Sequence, residues 1–489
     1  MFLGVFFLEV FVASLELGDV LFNLIILVNR NREVVEHVGH HKKSHNQHEA
    51  HHSELAIIGF LHRFARLECC HYTRVMKFFE DSSKLYFIGI GGIGMSGLAR
   101  LFAAQGKEVL GSDAQDSSTV EELRADEISV FVGHDEGQLP DDTELVIYSE
   151  AIPEDNEELM KARDLEIPTM TYFEALGKVT DDYHLVAVAG SHGKTTTTAM
   201  LSLILVNAGL DPTVIVGSKL KEFGNRNVRV GTGEVFVVEA CEYRRNFMSL
   251  HPNLLGVTNI ELDHIDYFKS QEDYELAFQE LADQSEEVVW PDEISEYERD
   301  VGVPGNHNLL NAGMAAHLAR RLGVSEEIIA ESLAAYEGAW RRFEYRGTSC
   351  GALIYDDYAH HPTEIQATLQ GAREKYPESR IVAVFQPHQY SRTAALLDAF
   401  ADAFEDADEV IIPNIYAARD SAADKAAVSS EALVDAIADY HDEVRYGDGL
   451  ENTAEYLLDT IQDGDLVLIM GAGDVNSIIP RILDEGKYR

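Results

Sequence analysis

A glycine-bracketed loop between an apolar run and a threonine-rich helix start constrains the fold of this chain more than any other stretch. Residues 184–198 read HLVAVAGSHGKTTTT. A strand that leads through such a turn into a helix presents backbone N–H groups and the positive end of the helix dipole to an anion. Four consecutive threonines are poor helix formers, which makes a purely structural explanation less attractive. The stretch therefore predicts a phosphate-binding loop in an α/β domain.

The residue types in this loop suit a nucleotide. Gly190 and Gly193 permit close approach of the backbone, Lys194 can reach terminal phosphates, and the Thr195 hydroxyl can join a Mg²⁺ shell. The loop is shorter than the general GxxxxGK[ST] pattern, so the match to that motif is imperfect. We expect a nucleotide phosphate, held by local groups.

Length and charge limit the remaining possibilities. A chain of 489 residues suggests about three domains. Its net charge of −45 argues against nucleic acid or an anionic membrane as a partner. Four cysteines do not make a disulfide framework, so a reducing, cytoplasmic setting is expected.

The first 75 residues differ in composition from the rest of the chain. They hold nine of the twenty histidines and are nearly neutral, whereas the remainder contributes almost all of the negative charge. The apolar opening is interrupted by acidic residues and lacks a basic start, so it is a poor signal peptide and a poor membrane span. We expect residues 1–75 to be a disordered or non-native extension, with the functional start at Met76.

A second glycine turn follows in KLYFIGIGGIGMSGLARLFAAQG. Gly89, Gly91 and Gly94 satisfy GxGxxG, and Asp113 lies where a ribose-binding acid would sit. Alone this pattern would suggest an NAD-dependent oxidoreductase, but the turn carries an additional Gly92, and such an enzyme would leave the first loop unexplained. Two phosphate turns on separate βαβ units predict two different phosphorylated ligands.

Polar residues follow the apolar strands of the central and C-terminal thirds. Strand VFVVEA ends in Glu239, and LLGVTNIELDH ends in a polar group that includes His264. Because ligands of open α/β sheets gather at the carboxyl ends of strands, this acid and this histidine can hold Mg²⁺ together. Corresponding strand ends after residue 342 carry Asp357, Tyr358, His360, His361, His388 and Arg392.

The motifs together resemble the Mur ligase family. The motifs GIGGIGMSG, AGSHGKTTTT, EACEYRRNF, TNIELDHIDYF, PGNHNLLNAGMAA, RRFE, DDYAHHPTE and FQPHQYSRT occur in the family's order over about residues 84–480. The resemblance implies a three-domain α/β fold: a Rossmann-like UDP-sugar domain (76–180), a central P-loop ATPase-like domain (181–341), and a C-terminal Rossmann-like, doubly wound domain that brings the amino acid (342–489).

The resemblance is to the alanine-adding members of the family. It implies ligation of L-alanine to the lactyl carboxylate of UDP-N-acetylmuramate through an acyl phosphate, with ATP and Mg²⁺, in cytoplasmic peptidoglycan precursor synthesis. A recycling ligase that attaches a tripeptide to the same sugar nucleotide is the alternative, although the first glycine turn matches the alanine-adding pattern better. A non-catalytic sugar-nucleotide binder is a third possibility, and the oligomeric state stays open.

Site residues are implied by matching motifs. For ATP they are Gly190, Ser191, His192, Gly193, Lys194, Thr195, Thr196, His307, Asn308, Asn311 and Arg342. For the UDP-sugar they are Gly89, Gly91, Gly92, Gly94, Met95, Ser96 and Asp113. Lys194, Glu239 and His264 are the expected catalytic residues, and Thr195, Glu239 and His264 the expected Mg²⁺ ligands. His388 and Arg392 are expected near the incoming amino acid or its product. The base that deprotonates the amine is left open among His264, Glu239 and a nearby histidine.

Two departures from the family pattern stand out. Ser191 replaces the usual threonine, which changes little because both are small hydroxyl residues. The stretch from His264 to His307 is clearly shorter than the family usually shows and reads as one acidic helix and a short link. We expect some strands of the central sheet to be missing and the floor of the ATP pocket to be rebuilt.

Overall fold

Three mainly parallel sheets follow one another along the chain. The computed structural model describes residues 82–265, 267–418 and 420–488, so the expectation for residues 1–75 lies outside the described residues. In this described part no helix has the length and apolarity that crossing a bilayer requires.

The N-terminal sheet has five parallel strands in the order β3-β2-β1-β4-β5. Its strands are β1 (Lys84–Ile88), β2 (Glu108–Asp113), β3 (Ser129–Val132), β4 (Leu145–Tyr148) and β5 (Thr169–Thr171). Its helices are α1 (Ile93–Ala104), α2 (Ser118–Ala125), α3 (Glu157–Asp164) and α4 (Tyr172–Thr180). The strand order reverses beside β1, which places the second glycine turn in the crevice where such sheets bind ligands.

The central sheet has six strands in the order β11-β10-β6-β9-β7-β8, and only the β7–β8 pair is antiparallel. Its strands are β6 (His184–Ala189), β7 (Thr213–Leu220), β8 (Arg226–Arg229), β9 (Val235–Glu239), β10 (Leu254–Val257) and β11 (Glu287–Val289). Its helices are α5 (Lys194–Asn207), α6 (Gln271–Asp283), α7 (Asn306–Arg321) and α8 (Glu326–Ala334). β6 is an almost fully buried apolar run, as expected of a strand covered on both faces.

Two details of the central domain differ from the sequence expectation. β10 ends at Val257, so the polar group from Asn259 to His264 lies in the loop after the strand. The shortened stretch contains a short strand, β11, as well as the expected helix α6. Residues 294–305, all of them described, form a link without helix or strand.

The C-terminal sheet has six strands in the order β12-β13-β17-β14-β15-β16, with β12 antiparallel to β13. Its strands are β12 (Glu344–Ser349), β13 (Ala352–Asp357), β14 (Ile381–Phe385), β15 (Glu409–Ile412), β16 (Val444–Tyr446) and β17 (Leu466–Met470). Its helices are α9 (Pro362–Lys375), α10 (Tyr390–Ala395), α11 (Leu397–Ala401), α12 (Ala422–Ala427), α13 (Ser430–Ala438), α14 (Leu450–Thr460) and α15 (Ile479–Glu485). Apolar clusters on both faces of this sheet make it a doubly wound domain.

Candidate active site

The phosphate loop, residues 190–194, joins β6 to α5 in a conformation that requires glycine. Gly190 has φ +139° and Gly193 has φ +80°. A Cβ at Gly193 would lie 2.1 Å from Asn311 Oδ1, and one at Gly190 would lie 2.0 Å from Thr258 Oγ1. Both glycines therefore allow the loop backbone to pass close to the side chains of Asn311 and Thr258.

Hydrogen bonds join the phosphate loop to the loop after β10. The His192 backbone N–H donates to Asn259 Oδ1 at 2.8 Å, and Thr258 Oγ1 donates to the His192 carbonyl at 2.6 Å. Ser191 Oγ donates to the Glu261 carbonyl at 2.7 Å and accepts from the Glu261 N–H at 2.8 Å. The loop is thus fixed before any anion arrives.

Lys194 is held by the loop and by Glu242. Its Nζ donates to the Ser191 carbonyl at 3.0 Å and to Glu242 Oε1 at 2.9 Å. Burial alone would lower the pKa of Lys194, but Glu242 and Glu239 outweigh it and keep that pKa above its usual value. Lys194 is therefore a fixed positive charge at the loop.

Glu242 is a site residue that the sequence reasoning missed. Its carboxylate is buried, and within the described part of the chain its Oε2 has no hydrogen-bond partner. Its Oε1 lies 3.4 Å from His264 Nε2, so it connects the lysine to the histidine. The available signal was the second acid of EACE, three residues after Glu239.

Thr195 and Glu239 meet as the sequence predicts. Thr195 Oγ1 donates to the Glu239 carboxylate at 2.9 and 3.0 Å, and Glu239 Oε2 also accepts from the Gly217 N–H at 2.7 Å. Their oxygens are the ligand type that Mg²⁺ prefers. The ion-pair contact of His264, the third expected ligand, is with Glu242.

A cavity of about 370 Å³ lies beside the loop, between the central and C-terminal domains. Seven of the residues predicted for ATP line it: His192, Gly193, Thr196, His307, Asn308, Asn311 and Arg342. Its volume is within the usual range for small-molecule sites. Ile294, Val303 and Pro304 of the shortened link also line the cavity, so the link forms part of its wall.

Two titratable groups that line the cavity have displaced pKa values. Burial lowers the pKa of His307 to about 4, and nearby Arg342 acts in the same direction. Burial raises the pKa of Asp357 to about 6, although Arg342 opposes it. The His307 imidazole is consequently neutral at pH 7.

The Arg342 guanidinium lies over the Tyr358 ring, 5.3 Å from its centroid.

The remaining C-terminal residues lie near one another. The His360 and His388 ring centroids are 6.4 Å apart, and His388 stacks on Tyr416 at 5.5 Å. Arg392, expected near the amino acid, donates from Nη2 to Asp263 Oδ1 at 2.9 Å. Both of those side chains are buried, so the pair is a closed contact between the two domains.

Asp113, the acid expected to bind a ribose, accepts a hydrogen bond from the N-terminal glycine turn itself. The Gly91 N–H donates to Asp113 Oδ2 at 2.8 Å. A Cβ at Gly94 would lie 2.6 Å from the Tyr172 ring, so this glycine serves helix packing. Met95 and Ser96 are buried within α1, which leaves the turn from Gly89 to Gly92 as the part open to a ligand.

Comparison with known proteins agrees with the division of the chain into three α/β domains. Three family models match consecutive parts of the chain: the Mur ligase family catalytic domain (84–184), the Mur ligase middle domain (188–293) and the Mur ligase glutamate ligase domain (341–473). The UDP-N-acetylmuramate–L-alanine ligase of Caldanaerobacter subterraneus subsp. tengcongensis is 38% identical over 459 residues, covering 83% of this chain and 99% of the relative. The chain belongs to the Mur ligase family.

Further Mur ligases support the assignment. The UDP-N-acetylmuramate–L-alanine ligase of Acetivibrio thermocellus is 39% identical over 447 residues, with 81% of this chain and 94% of the relative covered. Among solved structures, the UDP-N-acetylmuramate–alanine ligase of Thermotoga maritima aligns with a TM-score of 0.71 and 27% identity, covering 83% of this chain and 99% of that one. The predicted three-domain α/β fold is confirmed.

The alignment also bears on the shortened stretch of this Mur ligase. The alignment with the Caldanaerobacter relative has 459 positions. This chain fills about 406 of them, because 83% of its 489 residues are aligned. The relative therefore has about 50 positions that this chain lacks. This difference agrees with the short link before α7.

Proposed function

We propose that this chain joins L-alanine to the lactyl carboxylate of UDP-N-acetylmuramate, with ATP, in the synthesis of peptidoglycan precursors. The observation that carries the proposal is the phosphate loop, whose Lys194 and Thr195 contact Glu242 and Glu239 beside a cavity that two domains line. The names of the relatives, UDP-N-acetylmuramate–L-alanine ligases, supply the two substrates.

The chemical problem is that a carboxylate does not react with an amine in water and must first be activated. A lactyl carboxylate oxygen attacks the γ-phosphorus of ATP, ADP leaves, and an acyl phosphate results. Lys194 stabilises the charge on the phosphoryl oxygens, after exchanging its bonds to Ser191 and Glu242 for bonds to phosphate. Thr195 and Glu239 are the residues that would hold Mg²⁺, which supplies further positive charge there when bound.

Amide formation completes the reaction. The alanine nitrogen attacks the acyl carbon, inorganic phosphate leaves, and the nitrogen loses a proton. His264, Glu239 and a nearby histidine such as His360 are the candidate bases. Residues of the C-terminal domain, Arg342 and Asp357 among them, cover the cavity and would keep water from the acyl phosphate.

The N-terminal domain would hold the sugar nucleotide. The turn from Gly89 to Gly92 lies at the crevice of a parallel sheet and precedes a helix, which supports a diphosphate at the N-terminus of α1. The cytoplasm, which supplies ATP, is the proposed location.

Phosphate release by the purified full chain tests the function. With ATP, Mg²⁺ and UDP-N-acetylmuramate, we expect release that depends on L-alanine and a product mass larger by one alanyl group. Release only with a tripeptide would favour the recycling ligase instead. Binding of the sugar nucleotide without release under any condition would favour a non-catalytic binder.

A further inference from the structure

Two histidines and a glutamate meet where the phosphate loop contacts the C-terminal domain. His192 belongs to the loop, Glu261 follows β10, and His361 precedes α9. One donor atom from each lies within 4.8 Å of the others. His192 Nε2 is 3.2 Å from Glu261 Oε2, and His361 Nδ1 is 4.0 Å from Glu261 Oε1.

Two nitrogens of this cluster are buried without a hydrogen bond. His361 is only 4% exposed, and its Nδ1 has no hydrogen-bond partner among the described residues. His192 Nε2 also has no hydrogen bond among the described residues, although it lies 3.2 Å from Glu261 Oε2 in an ion-pair contact. Buried polar atoms are normally satisfied, so two such nitrogens beside one carboxylate indicate a missing ligand.

The contacts around the cluster are those that orient metal ligands. His192 uses its other ring nitrogen, Nδ1, at 3.2 Å from Glu364 Oε1, which leaves Nε2 as the atom that faces Glu261. Thr363 Oγ1 donates to Glu261 Oε1 at 2.8 Å. A carboxylate bonded to the second nitrogen of a histidine, and a hydroxyl that donates to a carboxylate, are usual outer partners of metal ligands.

We propose that His192, Glu261 and His361 bind a divalent transition metal of the Zn²⁺ class. Two imidazoles and one carboxylate suit Zn²⁺ rather than Mg²⁺, which prefers oxygen ligands such as Thr195 and Glu239. On binding, the donor atoms, which lie within 4.8 Å of one another, would move to the spacing of about 3.3 Å that Zn–ligand bonds near 2.0 Å require. None of these three residues is among the expected Mg²⁺ ligands Thr195, Glu239 and His264.

The ligands of the proposed metal site come from two domains. Two ligands come from the central domain and the third from the C-terminal domain, so a bound metal ties the domains together. His192 and Glu261 also line the nucleotide cavity, so a bound metal would lie at its edge. The proposal concerns metal binding and does not depend on the substrates proposed above.

Titration of the full chain with Co²⁺ in excess Mg²⁺ tests the site. Tetrahedral Co²⁺ gives an intense visible spectrum that Zn²⁺ abolishes by displacement. Residues 1–75 contain nine histidines and can also bind Co²⁺, so the decisive quantity is the difference between the wild type and variants. His361→Gln and Glu261→Gln are the two variants, and His251→Gln, at an exposed histidine outside the cluster, is the matched control.

We expect the wild type and His251→Gln to bind one more Co²⁺ in the tetrahedral form than either cluster variant. In each cluster variant the affinity of that ion should fall at least about tenfold, because even outer partners of metal ligands contribute that much. Equal titrations of all four proteins would overturn the proposal. Circular dichroism melting identifies any variant that fails to fold. If His361→Gln fails to fold, Glu261→Gln alone tests the proposal, because Glu261 is partly exposed.

Discussion

Arg392 Nη2 donates to Asp263 Oδ1 at 2.9 Å across the boundary between the C-terminal and central domains. The same Asp263 oxygen accepts from the backbone N–H of His264 at 2.6 Å. Burial alone would raise the pKa of Asp263, but Arg392 and the neighbouring histidines hold it below its usual range. The loop that carries His264 is therefore fixed by a residue of the opposite domain.

Asp263→Asn should destabilise the protein by about 3–5 kcal/mol, because it leaves the buried Arg392 charge without its partner. Urea unfolding followed by far-UV circular dichroism measures the change. Combining Asp263→Asn with Arg392→Gln should cost less than the sum of the single changes, since the two residues interact directly. If the two changes in unfolding free energy simply add, the interaction between Asp263 and Arg392 contributes nothing to stability.

Arg392→Ala should impair the reaction with hydroxylamine as well as with L-alanine. Hydroxylamine intercepts acyl phosphates and needs no pocket for a carboxylate. The sequence analysis places Arg392 near the incoming amino acid, and a role confined to alanine would spare hydroxylamine. The contact of Arg392 with Asp263 instead supports a role in holding the domains together. Hydroxamate formation at the wild-type rate, with only the KM for alanine raised, would restore the first interpretation.

Lys194→Ala should reduce kcat by about 10²-fold or more, because the positioned charge beside the transferred phosphoryl group is lost. UDP-N-acetylmuramate should still bind with nearly unchanged affinity in calorimetry, since the Gly89–Gly92 turn belongs to another domain. Lys221→Ala, which removes an exposed lysine paired with Glu337, is the control and should leave both quantities unchanged. Loss of sugar-nucleotide binding in Lys194→Ala would refute the assignment of two separate sites.

His307 should make the protein less stable in acid. Its pKa is about 4 when folded and 6.5 in the unfolded chain, so between these values the unfolded state binds the additional proton. The stability from neutral His307 is present above pH 6.5 and declines as the pH falls to 4, by up to about 3 kcal/mol. The free energy of unfolding of the wild type should fall relative to that of His307→Gln over this range.

The matching control is His251→Gln, because His251 is an exposed histidine. Its unfolding free energy should follow the wild type at every pH from 6.5 to 4. A constant difference between the wild type and His307→Gln over the same range would show that His307 titrates normally in the folded protein.

Local patterns in the sequence were sufficient to identify the phosphate loop and the end of β9. The run LVAVA predicts a buried strand, the glycines predict the turn, and Glu239 ends the next apolar run. Each of these features depends on neighbours within a few residues. For that reason the loop and Glu239 could be located without the structure.

Contacts between distant residues could not be predicted in this way. Arg392 meets Asp263 across 129 positions, and His192 meets Glu364 across 172. Glu242 lies between β9 and a short 3₁₀ segment, Tyr243–Ser249, where no strand or helix period marks the direction of its side chain. Such contacts depend on how the domains pack, which no local periodicity records.

The short link before α7 makes the central domain a practical place to add new sequence. It follows β11, the edge strand of its sheet, and most of residues 292–302 are exposed. An insertion there leaves the buried strands β6 and β10 untouched, and its loop-closure cost grows only slowly with length. Because both ends of the link border the nucleotide cavity, a fluorescent protein module grafted at this point would report occupancy of the cavity as an optical signal.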